Sequence, residues 1–129
     1  MVGLYGNGIE LTEKMLDFIW SRQTLTLNNI ANVDTPGYKS RYMTFEEELQ
    51  KRIQSASGAE RPRMAVTQAI GFTHAQIHIT RDESTRLDGN NVDMDQEQVE
   101  LVRSAYEYQY LLGSINSDLK RLQNAAKTF

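Results

Sequence analysis

The chain has 129 residues, enough for one domain; it is 40% hydrophobic, and its mean hydropathy of −0.54 is polar for a globular protein. Its 14 basic and 17 acidic residues nearly balance, and no segment carries the basic excess that nucleic-acid binding requires. The absence of cysteine excludes a disulfide framework and thiolate metal ligation.

In chain order, Met1–Gly8 lacks the basic and apolar regions of a secretory signal and reads as a flexible lead-in. A helix is expected from Gly8 to Asn32, with Asn7 as its N-cap. One stripe along it is Ile9, Thr12, Leu16, Ile19, Gln23, Thr26 and Ile30, and a second is Leu11, Met15, Phe18 and Leu25. A surface helix needs a single apolar face, so two stripes predict neighbours on more than one side. The helix ends in Asn28-Asn29-Ile30-Ala31-Asn32, and Thr35-Pro36-Gly37-Tyr38 follows as a turn. Pro36 disfavours helix at Thr35, and Gly37 permits positive φ. Solvent exposure alone does not require so many asparagines. Their amides are expected to hydrogen-bond backbone where helices of several subunits meet.

Residues 41–91 are a weaker middle segment. Thr44 followed by Glu47 predicts the start of a short helix, with Phe45, Leu49 and Ile53 on one face. Ser55–Arg63 reads as a loop. Met64–Ile70 and Ala75–Thr80 are expected as two short strands, and Asp88-Gly89-Asn90-Asn91 as a turn.

Residues 92–129 hold the strongest pattern. From Asp93 to Lys127, Leu101, Ala105, Tyr108, Leu112, Ile115, Leu119, Leu122 and Ala126 recur in steps of four and three, a heptad seam that predicts coiled-coil packing. Asp93 or Asp95 can cap the start, acids crowd the first turns and bases the last. The fold class is therefore mainly α: N- and C-terminal helices paired as a coiled coil around a small irregular, β-containing middle (core segments 1–40 and 92–129). Ordering so long a helix costs more entropy than its narrow seam repays. The terminal segments are thus expected to be poorly ordered in the monomer and helical in a polymer.

No catalytic, cofactor or metal site is expected. His74 and His78 stand four apart with no obvious third ligand. The acids from Asp88 to Glu97 lack the glycine of a calcium loop at its required position. Gly3–Gly8 resembles a phosphate loop in outline, but Ile9-Glu10 stands where lysine and a hydroxyl residue belong. No Gly-x-Ser-x-Gly frame holds a nucleophile, and no pattern calls for a small-molecule substrate.

The run Asn29-Ile-Ala-Asn-Val-Asp-Thr-Pro-Gly-Tyr38 resembles the N-terminal signature of the flagellar axial proteins, the rod, hook and hook-associated subunits. Arg22-Gln23, Phe45-Glu46 with Leu49, and Leu87–Glu97 are similar to the proximal rod subunits of that family, whereas residues 55–80 match nothing in it. The resemblance implies a subunit whose paired terminal helices line the inner tube of the rod. Its implied partners are other copies of itself, other rod subunits, the adaptor to the membrane ring and the export gate. It further implies passage through the flagellar type III export apparatus without a Sec signal, and a place in the basal body outside the inner membrane. Asn28, Asn29, Asn32, Thr35, Pro36, Gly37 and Tyr38 would shape the turn. Ile9, Leu16, Ile19, Ile30 and the seam from Leu101 to Ala126 would form the inner packing. Two other classes share some features. An unrelated export or needle filament would have the heptads without the asparagine turn, and a cell-wall enzyme would need a carboxylate pair in a cleft.

Overall fold

The structure, a computed structural model, describes residues 2–81 and 86–127, with side chains from residue 8 onward. Six elements follow one another: α1 (Val2–Ala31), β1 (Arg41–Thr44), α2 (Glu46–Ser57), α3 (Pro62–Phe72), β2 (Gln76–Ile79) and α4 (Met94–Lys127). The two terminal helices pack together. They run antiparallel, since Asn29 near the end of α1 bonds Glu97 near the start of α4, and the Trp20 and Tyr108 rings lie 6.1 Å apart further along. Both are long: 30 and 34 residues, or about 45 and 50 Å at ~1.5 Å per residue. α1 begins at Val2, earlier than the sequence predicts, and Asn7 lies inside it. Once a helix is nucleated, each further residue adds a hydrogen bond, so the glycine-containing lead-in is carried along. At the other end, Asp93 Oδ1 accepts from the N–H groups of Asp95 and Gln96 and caps α4 as expected.

The second stripe of α1 does find its own neighbours. Phe18 and Ile19 join Met43, Phe45, Leu49, Val66 and Ile70 in the core, with Leu11, Met15 and Leu25 packed beside them. Phe45 is 1% exposed and its ring lies 4.4 Å from that of Phe18. Three parts of the predicted middle are corrected. Met64–Ile70 is helical, within α3, and packs Val66 and Ile70 inward at a helical spacing of four. Pro62 starts that helix, where a missing N–H costs nothing, so the predicted loop Ser55–Arg63 shrinks to the few residues between two helices. Phe45, not Thr44, is the N-cap of α2; the Thr44 hydroxyl is hydrogen-bonded to His78 instead.

The predicted second strand exists as β2, but its partner is β1, with Arg41 opposite Ile79 and Thr44 opposite Gln76 in an antiparallel pair. Buried Met43 points to the core, while Tyr42 and His78 stack 4.9 Å apart on the opposite face. Within the described residues no helix is long and apolar enough to cross a membrane.

Candidate functional site

The asparagine turn closes α1 by local bonds. Asn28 O accepts from both the backbone N–H and the side chain of Asn32. Asn32 Oδ1 in turn accepts from the Thr35 hydroxyl, and Asn32 O from Thr35 N–H. Pro36 and Gly37 are exposed at the tip, and Gly37 adopts φ +73°, a conformation that costs other residues about 1–2 kcal/mol.

Asn29 plays a different part from its neighbours. It is 1% exposed. Its Oδ1 accepts from Arg41 N–H and the Tyr38 hydroxyl, and its Nδ2 donates to Arg41 O and Glu97 Oε2. The amide thus presents one donor and one acceptor to Arg41, as a neighbouring strand would. Two residues on, Arg22 adds a donor to the same edge, giving a hydrogen bond to Met43 O at 3.1 Å. The edge of β1 that faces α1 is therefore held by side chains of the helix. Asn29 also ties α1, β1 and α4 together at one point.

The segment before α4 completes the turn from outside. Asn90 is 0% exposed; its Nδ2 donates to Asn32 O and Thr35 O, and its Oδ1 accepts from Val92 N–H. Gly37 N–H donates to Asp88 O at 2.8 Å. Asn91 bridges the open end of the strand pair, accepting from Ser40 N–H and donating to Thr80 O. Gly89, at φ +80°, passes so close that a Cβ there would sit 3.7 Å from the Gly37 Cα. Lys39 and Arg86 donate to Gly89 O and Val33 O across the same junction. The turn read from the sequence at residues 88–91 is thus the partner of the asparagine turn. Adjacent asparagines after Asp-Gly were the available signal. The expected bonding of asparagines to other subunits does not extend to Asn29, whose amide is used inside the chain.

Two carboxylates beside this site are electrostatically distinct. Burial raises the Glu97 carboxyl above the usual range; the Asn29 bond opposes this, and the charges of Glu100 and Asp93 add to it. For Glu46 burial acts in the same sense, but hydrogen bonds from its own and the Phe45 backbone N–H and from Arg22 outweigh it and hold the carboxyl low. Arg22, 2.7 Å from Glu46, also lies over the Phe45 ring at 4.6 Å. The sequence reading placed no role on Arg22 or Glu97 beyond motif and helix cap.

The predicted packing residues divide. Ile9, Ile19 and Ile115 are buried, and Leu16, Ile30, Leu101, Ala105, Tyr108 and Leu122 are half-buried. Leu112 and Leu119 remain 42% and 37% exposed, and Ala126 is exposed. The monomer's own seam runs through Leu101, Ser104, Tyr108, Leu111, Ile115, Asp118 and Leu122, every second position lying one residue before the predicted one. Ser104 is 2% exposed and Leu111 packs on the core. On that side Tyr108 and Leu111 pack against the core cluster to which Phe18 and Ile19 of α1 belong. Among the described residues no cluster of His, Cys, Asp or Glu could hold a metal ion.

A family model described as "Flagella basal body rod protein" matches residues 22–39, from Arg22 through the turn. Along nearly the whole chain, the sequence is similar to the flagellar basal body rod proteins FlgB of Escherichia coli strain K12 and of Bacillus subtilis strain 168. The first is 30% identical over 128 residues, 93% of each chain, and the second 29% identical over 122 residues, 95% of each. The FlgB protein of Aeromonas hydrophila is 34% identical over 111 residues, 82% of each chain.

Proposed function

The chain belongs to the FlgB family of flagellar basal body rod proteins, and on that premise we propose that it builds the proximal part of the rod. In this reading copies of it polymerise into a hollow helical shaft. The shaft joins the membrane ring and export gate, through an adaptor, to later rod subunits and transmits torque. The chain reaches that position through the flagellar export apparatus.

The observation that carries the reading is the buried Asn29–Asn90 junction. It locks the end of α1 to the start of α4 at the stretch where the family model matches. A shaft under torque needs subunits whose long helices cannot splay, and a junction of buried, fully engaged amides supplies that stiffness. Asn28, Asn32, Thr35, Pro36, Gly37 and Tyr38 serve as its outer half. Ile9, Leu16, Ile19 and Ile30 pack with Leu101, Tyr108, Ile115 and Leu122 inside the subunit. Ala105, Leu112, Leu119 and Ala126 are left for neighbours.

An in-frame deletion in the source bacterium, scored by motility and by electron microscopy of basal bodies, tests the proposal. Membrane rings without rod or filament, restored by the gene, are expected. Normal flagella in the deletion strain would overturn it.

A further inference from the structure

The turn that completes the asparagine junction from outside holds the chain's one Asp-Gly pair, Asp88-Gly89. In an unfolded chain such a pair is chemically open, because glycine has no side chain to shield its nitrogen and its backbone turns freely. The Gly89 nitrogen can then attack Cγ of the Asp88 carboxyl. A bond from nitrogen to Cγ forms and one C–O bond breaks; the oxygen leaves as water with the amide proton and one from solvent. Water reopens the cyclic imide by adding at the former main-chain carbonyl carbon of Asp88. The bond from that carbon to nitrogen breaks, and the chain continues through Cγ as isoaspartate. Nothing is oxidised or reduced, and the mass is unchanged.

In the folded chain the same pair is held out of reach. Gly89 N–H donates to Arg86 O at 3.2 Å, and among the described residues only Gly37 and Gly89 take positive φ. Arg86–Gly89 is therefore a type I turn with Asp88 in third place, where ψ is about 0°. There the Gly89 nitrogen is rotated away from Cβ, whereas a five-membered ring needs the two eclipsed. The carboxyl is directed elsewhere, since Asp88 Oδ1 accepts from Asn90 N–H at 3.0 Å. Asp88 O accepts from Gly37 N–H at 2.8 Å, and Asn90 is anchored on Asn32 O and Thr35 O. Asp88 is exposed, so water reaches it in either state and only this geometry protects it.

Conversion also removes what protected the site. Isoaspartate lengthens the main chain by one carbon and turns the carbonyl that accepts from Gly37 N–H into a free carboxylate. Gly89, which passes so near Gly37 that a Cβ would lie 3.7 Å from its Cα, is displaced, and Asn90 with it. We infer that Asp88-Gly89 is a conformation-gated isoaspartate site. It is closed while the two turns are joined, open whenever the junction opens, and once converted it blocks the junction from reforming. The inference does not depend on the chain's place in the rod.

The test uses the purified full chain, incubated in native buffer and in guanidinium chloride. Isoaspartate is measured by methyl transfer from S-adenosylmethionine with a protein isoaspartate methyltransferase and located by peptide mapping. Conversion at Asp88 should be about tenfold or more slower in the folded chain, the ratio that ~1.4 kcal/mol of local protection gives. Asn90→Ala should convert faster than Leu49→Ala, a core change outside both turns, when the two are compared at equal fractions unfolded. Gly37→Ala, a milder change at the junction, takes its place if Asn90→Ala does not fold, with the same expectation. Equal rates in buffer and denaturant would overturn the inference. So would a junction variant that converts no faster than Leu49→Ala, because the site would then follow global unfolding. The converted chain, separated and returned to native buffer, should exchange its Gly37 amide proton faster than the parent; unchanged protection there would overturn the block.

Discussion

At Asn29 one amide does the work of a neighbouring strand and of a tie between helices. Replacing it by alanine removes bonds to Arg41, Tyr38 and Glu97 at once and leaves the Arg41 backbone groups without that partner. Unsatisfied buried groups cost about 1–3 kcal/mol each, so Asn29→Ala should lose roughly 2–4 kcal/mol in urea denaturation, and Asn90→Ala a similar amount. An exposed control such as Asn28→Ala should stay within about 0.5 kcal/mol. Glu97 supplies a pH signature. Its folded-state carboxyl titrates above the ordinary value of 4.5, so the folded chain holds that proton more tightly than the unfolded chain. Stability from protonation is fully present below 4.5 and is lost as pH rises through the raised value. At neutral pH the ionised group is therefore a cost. Glu97→Gln keeps an oxygen to accept from Asn29, and it should melt higher than the parent at pH 7. The difference should close toward pH 4. Glu46 has the opposite sign: its contribution is present above 4.5 and lost as pH falls through its lowered value.

Among the elements, the offset between predicted and observed seams separates folding from assembly. Ile115 is 9% exposed and sits in the seam inside the chain. Ile115→Ala should destabilise the monomer by about 2–4 kcal/mol. Leu112 lies one row over and is already 42% exposed, so Leu112→Ala should cost the monomer less than about 1.5 kcal/mol while impairing motility more than that loss explains. Melting curves and swimming assays on the two variants give the comparison. Within the small layer, Leu49 is 5% exposed and anchors α2 against Phe45 and α1. Leu49→Ala should loosen α2, costing about 2–4 kcal/mol.

As a whole molecule, the subunit has a core confined to one side of a long helix pair, where α2, α3 and the strand pair lie against α1. The distal half of α4 is held by a thin seam in which Asn116, Ser117, Lys120 and Arg121 face solvent. Local stability should therefore fall along the molecule from the Asn29 junction toward Lys127. Hydrogen exchange of the isolated subunit should be slowest around Ile19, Asn29 and Ser104 and fastest in residues 116–127. In isolated basal bodies the C-terminal helix should become protected. Equal, slow exchange along all of α4 in the free subunit would contradict this gradient.

The local periodicities carried much of this in the bare sequence. The long C-terminal helix, its Asp93 cap, the two-sided first helix and the Phe45–Leu49–Ile53 face depend on spacing along one element, which sequence displays directly. The turn at Thr35-Pro36-Gly37 was legible for the same reason, because proline and glycine act on their own backbone. Tertiary structure alone decided three things. Met64–Ile70 reads as apolar enough for a strand, and only the core surface offered by Phe18 and Leu49 makes it a helix. β1 has a single buried residue and no alternation to announce it; it is a strand because β2 on one side and Asn29 and Arg22 on the other complete its hydrogen bonds. The choice between two seams one residue apart on α4 could not come from heptads, since Leu101, Tyr108, Ile115 and Leu122 belong to both. It came from the tertiary core, against which Tyr108 and Leu111 pack and whose members Phe18, Phe45 and Val66 lie far apart in the chain.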